Sequence, residues 1–142
     1  MVKKDKSLIK EFVRISKYFG QRFDLIQAAG GNSSIKDGHK MYIKSSGYSL
    51  AEVSEKNGYS LLDNRKLMDF LEINEDVKIT SKIEKSSFNI LRKSIISGNA
   101  PSIETFTHSM LKKYTIHFHP VSVNVISTST KSRRIFKEIF HN

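Results

Sequence analysis

Residues 101–120 read PSIETFTHSMLKKYTIHFHP, and two periodicities run through them. The spacing predicts a helix from Ser102 to Lys112, capped by Ser102 or by the turn before it. On that helix Glu104 and His108 stand four residues apart and share a face, while Ile103, Phe106 and Met110 mark a largely apolar side. Tyr114 to His119 then alternates as a strand does. His117 and His119 fall on one face, Ile116 and Phe118 on the other, and Pro120 closes the element. Ile116 and Phe118 are expected to be buried.

Two imidazoles at i and i+2 on a strand converge on a point above the sheet, which suits a metal ion. Neutral imidazole is the commonest protein ligand of zinc and its neighbours, and a catalytic zinc takes three protein ligands plus one open position. Glu104, arriving from the preceding helix, is the candidate to approach the same point. The competing reading is that both histidines are ordinary polar residues on a half-exposed strand face.

The chain has 142 residues and no cysteine, so one domain with a real core is expected, and disulfide and thiolate chemistry are excluded. Histidine and carboxylate remain as the strong metal ligands. Hydrophobic content of 38% and charged content of 27% belong to a soluble globular protein. With no apolar run near the ~18 residues a spanning helix needs, a membrane span is not expected, and a cytoplasmic location is the default. Lys and Arg outnumber Asp and Glu by 24 to 14, a net charge of +10, which raises nucleic acid or an anionic substrate as a partner. The basic residues form no dense run and no aromatic-interleaved strip. Nucleic acid therefore ranks last among the partners.

Leu8, Phe12, Ile15 and Phe19 repeat at helical spacing, so Lys6 to Phe19 is expected to be an amphipathic helix ended by Gly20. Asn32–Lys36 and Lys40–Ser45 read as two strands joined at Asp37-Gly38. A hairpin brings Gly30-Gly31-Asn32, before the first strand, beside Ser45-Ser46-Gly47, after the second. Backbone amides, asparagine and serine there can hold an anion, and they are equally the residues of ordinary turns. Residues 58–62 suggest a third strand. Asp63 caps a helix through Leu71 with Leu67, Met68 and Leu71 inward. Thr80 caps another through Ile96, with Ile83, Leu91 and Ile95 among its apolar positions. Val121–Ile126 and Lys131–Phe140 complete the helices, the last burying Ile135, Phe136 and Ile139. The whole, residues 1–142, is one α+β domain with mixed or antiparallel strands.

GGNSSIK, IKSSGYSL, PSIET with a histidine four beyond its glutamate, and HFHP resemble, in that order and at those separations, the class II aldolase/adducin family over roughly residues 8–140. The nearest flavour is that of the fuculose and rhamnulose phosphate aldolases. The resemblance implies a three-layer α/β/α fold on a largely antiparallel central sheet, often assembled as a homo-oligomer. It implies that His117 and His119 bind a divalent metal, usually zinc, and that Glu104 is the proton-transfer base and can also approach the metal. It further implies that Gly31, Asn32, Ser46, Gly47 and Ser102 hold the substrate phosphate. Ile103 stands where the phosphate-binding members carry a second serine, which leaves open whether the sugar is phosphorylated. A third metal-binding histidine, which the family takes from a later strand, has no counterpart before Asn142. The chain therefore resembles the amino-terminal part of the domain, incomplete at the carboxy terminus.

The activity so implied is reversible aldol cleavage of a ketose through a metal-stabilised enediolate, weak or absent in this short chain. The carboxyl of Glu104 is expected to titrate above its ordinary range. The alternative is a non-catalytic, adducin-like binding and assembly module.

Overall fold

A computed structural model describes residues 6–74, 78 and 80–141. Its centre is a five-stranded sheet, every neighbouring pair antiparallel, in the order β4-β3-β2-β1-β5. The strands are β1 (Asn32–Asp37), β2 (Lys40–Lys44), β3 (Tyr59–Asp63), β4 (Ile95–Gly98) and β5 (Tyr114–His117). The helices are α1 (Lys6–Gly20), α2 (Asn64–Ile73), α3 (Ser81–Ser94), α4 (Thr105–Met110), α5 (Val121–Thr128) and α6 (Ser132–Phe140), with a 3-10 turn at Leu50–Glu52.

Strand alternation sorts the core into two clusters, one on each face of the sheet. On one face Ile35, Tyr42, Tyr59 and Leu61 meet Leu8, Ile9 and Phe12 of α1, with Val53 alongside. The rings of Phe12, Tyr42 and Tyr59 lie 5.7 to 6.3 Å apart, centroid to centroid. On the other face Met41, Ile43 and Leu62 meet Leu67 of α2 and Leu91 of α3, and Phe106 of α4 packs against them. Burying one such side chain is worth about 1.5–3 kcal/mol, so the two faces together outweigh the polar contacts that stitch them. The result is the three-layer α/β/α arrangement the resemblance implied.

The β1–β2 hairpin pairs Asp37 with Lys40 across the two-residue turn Gly38-His39. Asp63 caps α2, its side chain accepting from the Arg65 N–H at 3.2 Å, and Thr80 caps α3 by accepting from the Ile83 N–H at 3.3 Å. Both caps are those the sequence predicts.

Several expectations fail for identifiable reasons. The Thr80 helix stops at Ser94, and Ile95–Gly98 becomes edge strand β4 on β3. Ile95 and Ile96 are β-branched, and pairing with β3 outweighs another helical turn. The predicted Ser102–Lys112 helix shrinks to Thr105–Met110, because Pro101 is held in a β-bridge with Ser45 and the chain must turn before it can coil. Ile103 and Met110 consequently lie exposed rather than forming an apolar side. The last strand ends at His117, so His119 lies beyond it. Ile116 and Phe118 are half-buried, since β5 is an edge of the sheet; Phe118, just beyond it, meets Phe19 of α1 with ring centroids 5.0 Å apart. Met68 is exposed. Ile135 and Phe136 are half-buried and Ile139 exposed, because α6 packs on α5 and hardly on the body.

Gly20 does not end α1 by adopting a left-handed conformation; it is absent from the residues with positive φ. Its hydrogen lets the helix touch the 3-10 turn, where an added Cβ would stand 2.3 Å from the Ala51 nitrogen. Helix propensity favours alanine over glycine by up to about 1 kcal/mol, whereas overpacking against backbone costs about 1–3 kcal/mol. Crowding should win. Gly20→Ala is expected to lower the denaturant midpoint at unchanged m-value, and a higher midpoint would show that the contact yields freely.

Candidate metal centre

Strand register builds this site before any side chain is considered. Asn32 of β1 lies directly opposite His117 of β5, Ser33 opposite Ile116 and Ser34 opposite Thr115. Opposed residues share a face. Ser33 is tied to α1 through Ser16, whose Oγ lies 2.8 Å from its own. Asn32, Ser34 and His117 therefore face the other way, toward α4.

Glu104 occupies the position before α4, after a turn in which the Ser102 carbonyl accepts from the Thr105 N–H at 3.1 Å. Its carboxylate divides its oxygens. Oε1 lies 3.3 Å from His117 Nδ1, and Oε2 accepts from Asn32 Nδ2 at 3.1 Å. His119 stands two residues beyond the end of the strand, its N–H donating to the Leu25 carbonyl at 3.0 Å. The imidazole centroids of His117 and His119 are 4.8 Å apart. One donor atom each from Glu104, His117 and His119 lies within 4.8 Å of the others.

These donors fit a divalent cation. Zinc bonds of about 2.0–2.2 Å place tetrahedral donors about 3.3–3.6 Å apart, and the Glu104–His117 separation of 3.3 Å already matches. Both of those side chains are about two-fifths exposed, 39% and 42%, so the remaining separation can close by rotation without unpacking the core. Two imidazoles and one carboxylate are also the N/O donor set that zinc and its neighbours accept.

The electrostatics differ from the expectation for a base. Burial works to raise the Glu104 carboxyl, but the Asn32 hydrogen bond and then His117, His108 and His119 outweigh it, holding the group below its ordinary range. Glu104 is thus ionised near neutrality, ready to accept a proton or bind a cation.

The predicted anion-holding positions divide. Asn32 Nδ2 donates to Ser102 Oγ at 2.9 Å, and the Ser46 N–H donates to the Ala100 carbonyl at 3.0 Å, so Ser102 joins Asn32 and the Ser46 turn joins the start of the PSIET segment. Ser46 and Gly47 are exposed, Ser102 is half-buried, and Gly31 and Asn32 are buried. Gly31 has φ +68°, and a Cβ there would stand 2.8 Å from the His117 carbonyl oxygen. Its glycine lets the loop approach the end of β5. Ser102 is not inside a helix, so the six-residue α4 presents no amino terminus at that serine.

Two residues are built more deeply into the site than the sequence reading has them. Lys44 is 4% exposed, and its ammonium donates to the carbonyls of Ala29 at 3.1 Å and Tyr48 at 2.7 Å, joining the Gly-Gly loop to the Ser-Gly turn. Burial lowers its pKa, with Glu104 and Glu52 opposing. His108 shares the Glu104 side as expected, yet it is 1% exposed. Its Nδ1 lies 2.8 Å from Ser34 Oγ, and its Nε2 has no hydrogen-bond partner among the described residues. Beside it, a cavity of about 280 Å³ between α4 and β5 is lined by Glu104, Thr107, Thr115 and His117 among others.

A family model described as the class II aldolase and adducin N-terminal domain matches residues 10–140. No curated protein matches the sequence. Among solved structures, the N-terminal class II aldolase domain of a conserved protein from Thermoplasma acidophilum is similar, with a TM-score of 0.73 at 22% identity. That alignment covers 98% of this chain and 67% of the other, and it carries the fold.

Burial above all lowers the pKa of His108 from 6.5 to about 4; His117 and Lys36 act in the same direction and Glu104 against it. Between those values the unfolded chain binds a proton that the folded one refuses. Stability is then full above the unfolded value and falls as pH drops toward the folded one. The loss should approach about 3 kcal/mol. Denaturant melts at a series of pH values are expected to show this slope in the wild type and its disappearance in His108→Gln.

Proposed function

The chain belongs to the class II aldolase and adducin N-terminal domain family, and from that premise we propose that it is a metal-dependent aldolase-like domain acting on a ketose. The observation that carries the reading is the convergence of Glu104, His117 and His119 within 4.8 Å. The two imidazoles and the carboxylate would hold a divalent cation, zinc being the best match to the donors. Such an ion supplies Lewis-acid stabilisation of the charge that develops on oxygen when a carbon–carbon bond breaks.

The chain's own residues divide the remaining work. His117 and His119 fix the reacting end of the sugar at the mouth of the α4–β5 cleft. Glu104, held ionised, accepts or returns the proton at the donor carbon through Oε1, while its Oε2 stays on Asn32. Ser46 and Gly47 are exposed and Ser102 accepts from Asn32 with its own O–H left to donate, so these three can meet the far end of the sugar. Ile103 is 51% exposed beside Ser102 and its side chain offers no donor, which favours a free ketose over a ketose phosphate. Exposed Val121, Val123 and Val125 on α5, with Ile139 and Phe140 on α6, favour a homo-oligomer. The adducin-like assembly module remains the rival reading, and metal uptake separates the two.

Titration with Zn²⁺ or Co²⁺ is expected to saturate at one ion per chain, with His117→Ala and His119→Ala each losing it. On a panel of free and phosphorylated ketoses, slow ion-dependent retro-aldol cleavage should appear, and Glu104→Gln should abolish turnover. A folded protein that takes up no ion and cleaves no ketose overturns the aldolase reading in favour of assembly.

A further inference from the structure

Asn32 is one of the most constrained polar residues in the fold. It is 1% exposed, and its side chain is nearly saturated. Nδ2 donates to Ser102 Oγ at 2.9 Å and to Glu104 Oε2 at 3.1 Å, while Oδ1 accepts from the Ser33 N–H at 3.0 Å. A carboxylate can only accept, so the amide nitrogen must be the atom facing Glu104. Both of its protons are then committed, and none is left for a ligand.

Its backbone is committed as well. Asn32 is the register partner of His117, whose Nδ1 lies 3.3 Å from the other oxygen of the same carboxylate. One residue therefore fixes the strand that presents His117 and the carboxylate that meets it. Two positions further along the same face, Ser34 holds His108 at 2.8 Å. β1 thus grips the α4 segment at two points, four residues apart, and Glu104 cannot swing freely about its own backbone.

We propose that Asn32 is a positioning residue for the Glu104 carboxylate, orienting one oxygen toward His117 and His119, rather than a residue that contacts the substrate's anionic end. The proposal rests on the metal-site reading for its consequence, though the Asn32–Glu104 contact itself does not. Hydrogen-bond partners of metal ligands typically govern about 10- to 100-fold in metal affinity. Asn32→Ala leaves the carboxylate unoriented. Asn32→Asp, nearly the same shape, sets two carboxylates against each other.

The test uses Co²⁺ and inorganic phosphate as separate probes of the full chain. Asn32→Ala and Asn32→Asp are expected to bind Co²⁺ about 10- to 100-fold more weakly, with an altered visible absorption band. Whatever affinity the wild type has for phosphate should stay unchanged. Unchanged Co²⁺ affinity with lost phosphate binding would make Asn32 a direct anion ligand and overturn the proposal. Should the variants not fold, the wild-type Asn32 side-chain amide protons give the same answer by NMR. Slow exchange and a shift on adding Co²⁺ or Zn²⁺ support positioning; rapid exchange, or a shift with phosphate alone, sinks it. If the wild type takes up no ion, the metal reading fails by itself. Slow amide exchange that Glu104→Ala abolishes then still upholds the Asn32–Glu104 contact, and exchange indifferent to Glu104→Ala refutes it.

Discussion

Three consecutive buried polar side chains on β1 set the terms for everything around them. A strand with neighbours on both sides ordinarily fills such positions with apolar residues, yet Asn32, Ser33 and Ser34 are each at most 3% exposed. Burying a polar group without a partner costs roughly 1–3 kcal/mol, so each must be satisfied, and each is satisfied by a different element. Asn32 reaches the turn before α4, Ser33 reaches Ser16 on α1, and Ser34 reaches His108 on α4. Hydrophobic burial presses α1 and α4 onto opposite faces without direction, and these bonds choose the rotation and height at which they sit. The geometry of the Glu104, His117 and His119 cluster inherits that choice, because Glu104 lies one turn from His108 and across from His117.

The same constraint explains why the glycines around the site are needed for reasons other than the usual one. Gly30 and Gly31 leave room for the end of β5: added Cβ atoms would stand 3.3 Å from His119 Nδ1 and 2.8 Å from the His117 carbonyl oxygen. Larger residues there would push the imidazole-bearing strand outward, against the β1 register that holds it. Lys44 acts from the other side by tying the carbonyls of Ala29 and Tyr48 with one ammonium. Its cost is desolvation, which two part-buried hydrogen bonds and the nearby carboxylates Glu104 and Glu52 offset in part. Backbone proximity, more than side-chain bulk, shapes this part of the molecule.

How far the sequence could be read follows from which signals are local. The hairpin turn, the Asp63 and Thr80 caps and the α1 stripe depend on residues within one or two turns of one another, and the structure reproduces them. His117 and His119 were legible as a pair because the strand period is short, and the Glu104 spacing placed it near them. What failed depends on neighbours distant in sequence. Ile95–Gly98 joins the sheet only because β3 offers an edge, and the Ser45–Pro101 bridge, between residues 56 positions apart, sets where α4 begins. GGNSS looks like a turn because its composition is that of turns. It is instead a loop feeding a buried polar strand, and only the tertiary partners of Asn32, Ser33 and Ser34 make that composition tolerable there.

The lowered pKa of Glu104 sharpens the chemistry expected of the cleft. The sequence reading expects the carboxyl of this proton-transfer base to be raised toward the working pH. Burial is present here, but donors and imidazoles surround the group and reverse the shift. A carboxylate kept charged in a half-buried cleft is suited to a cation and poorly suited to donating a proton near neutrality, and as a base it is weaker than an unperturbed carboxylate. The two demands are separable in space, since Oε2 is anchored to Asn32 while Oε1 alone faces the imidazoles. A cation arriving beside His117 would therefore compete for the oxygen that a reacting carbon would also use. On the aldolase reading proposed above, that one oxygen would have to serve both the cation and the proton, while Asn32 would hold the carboxylate by its other oxygen in either role.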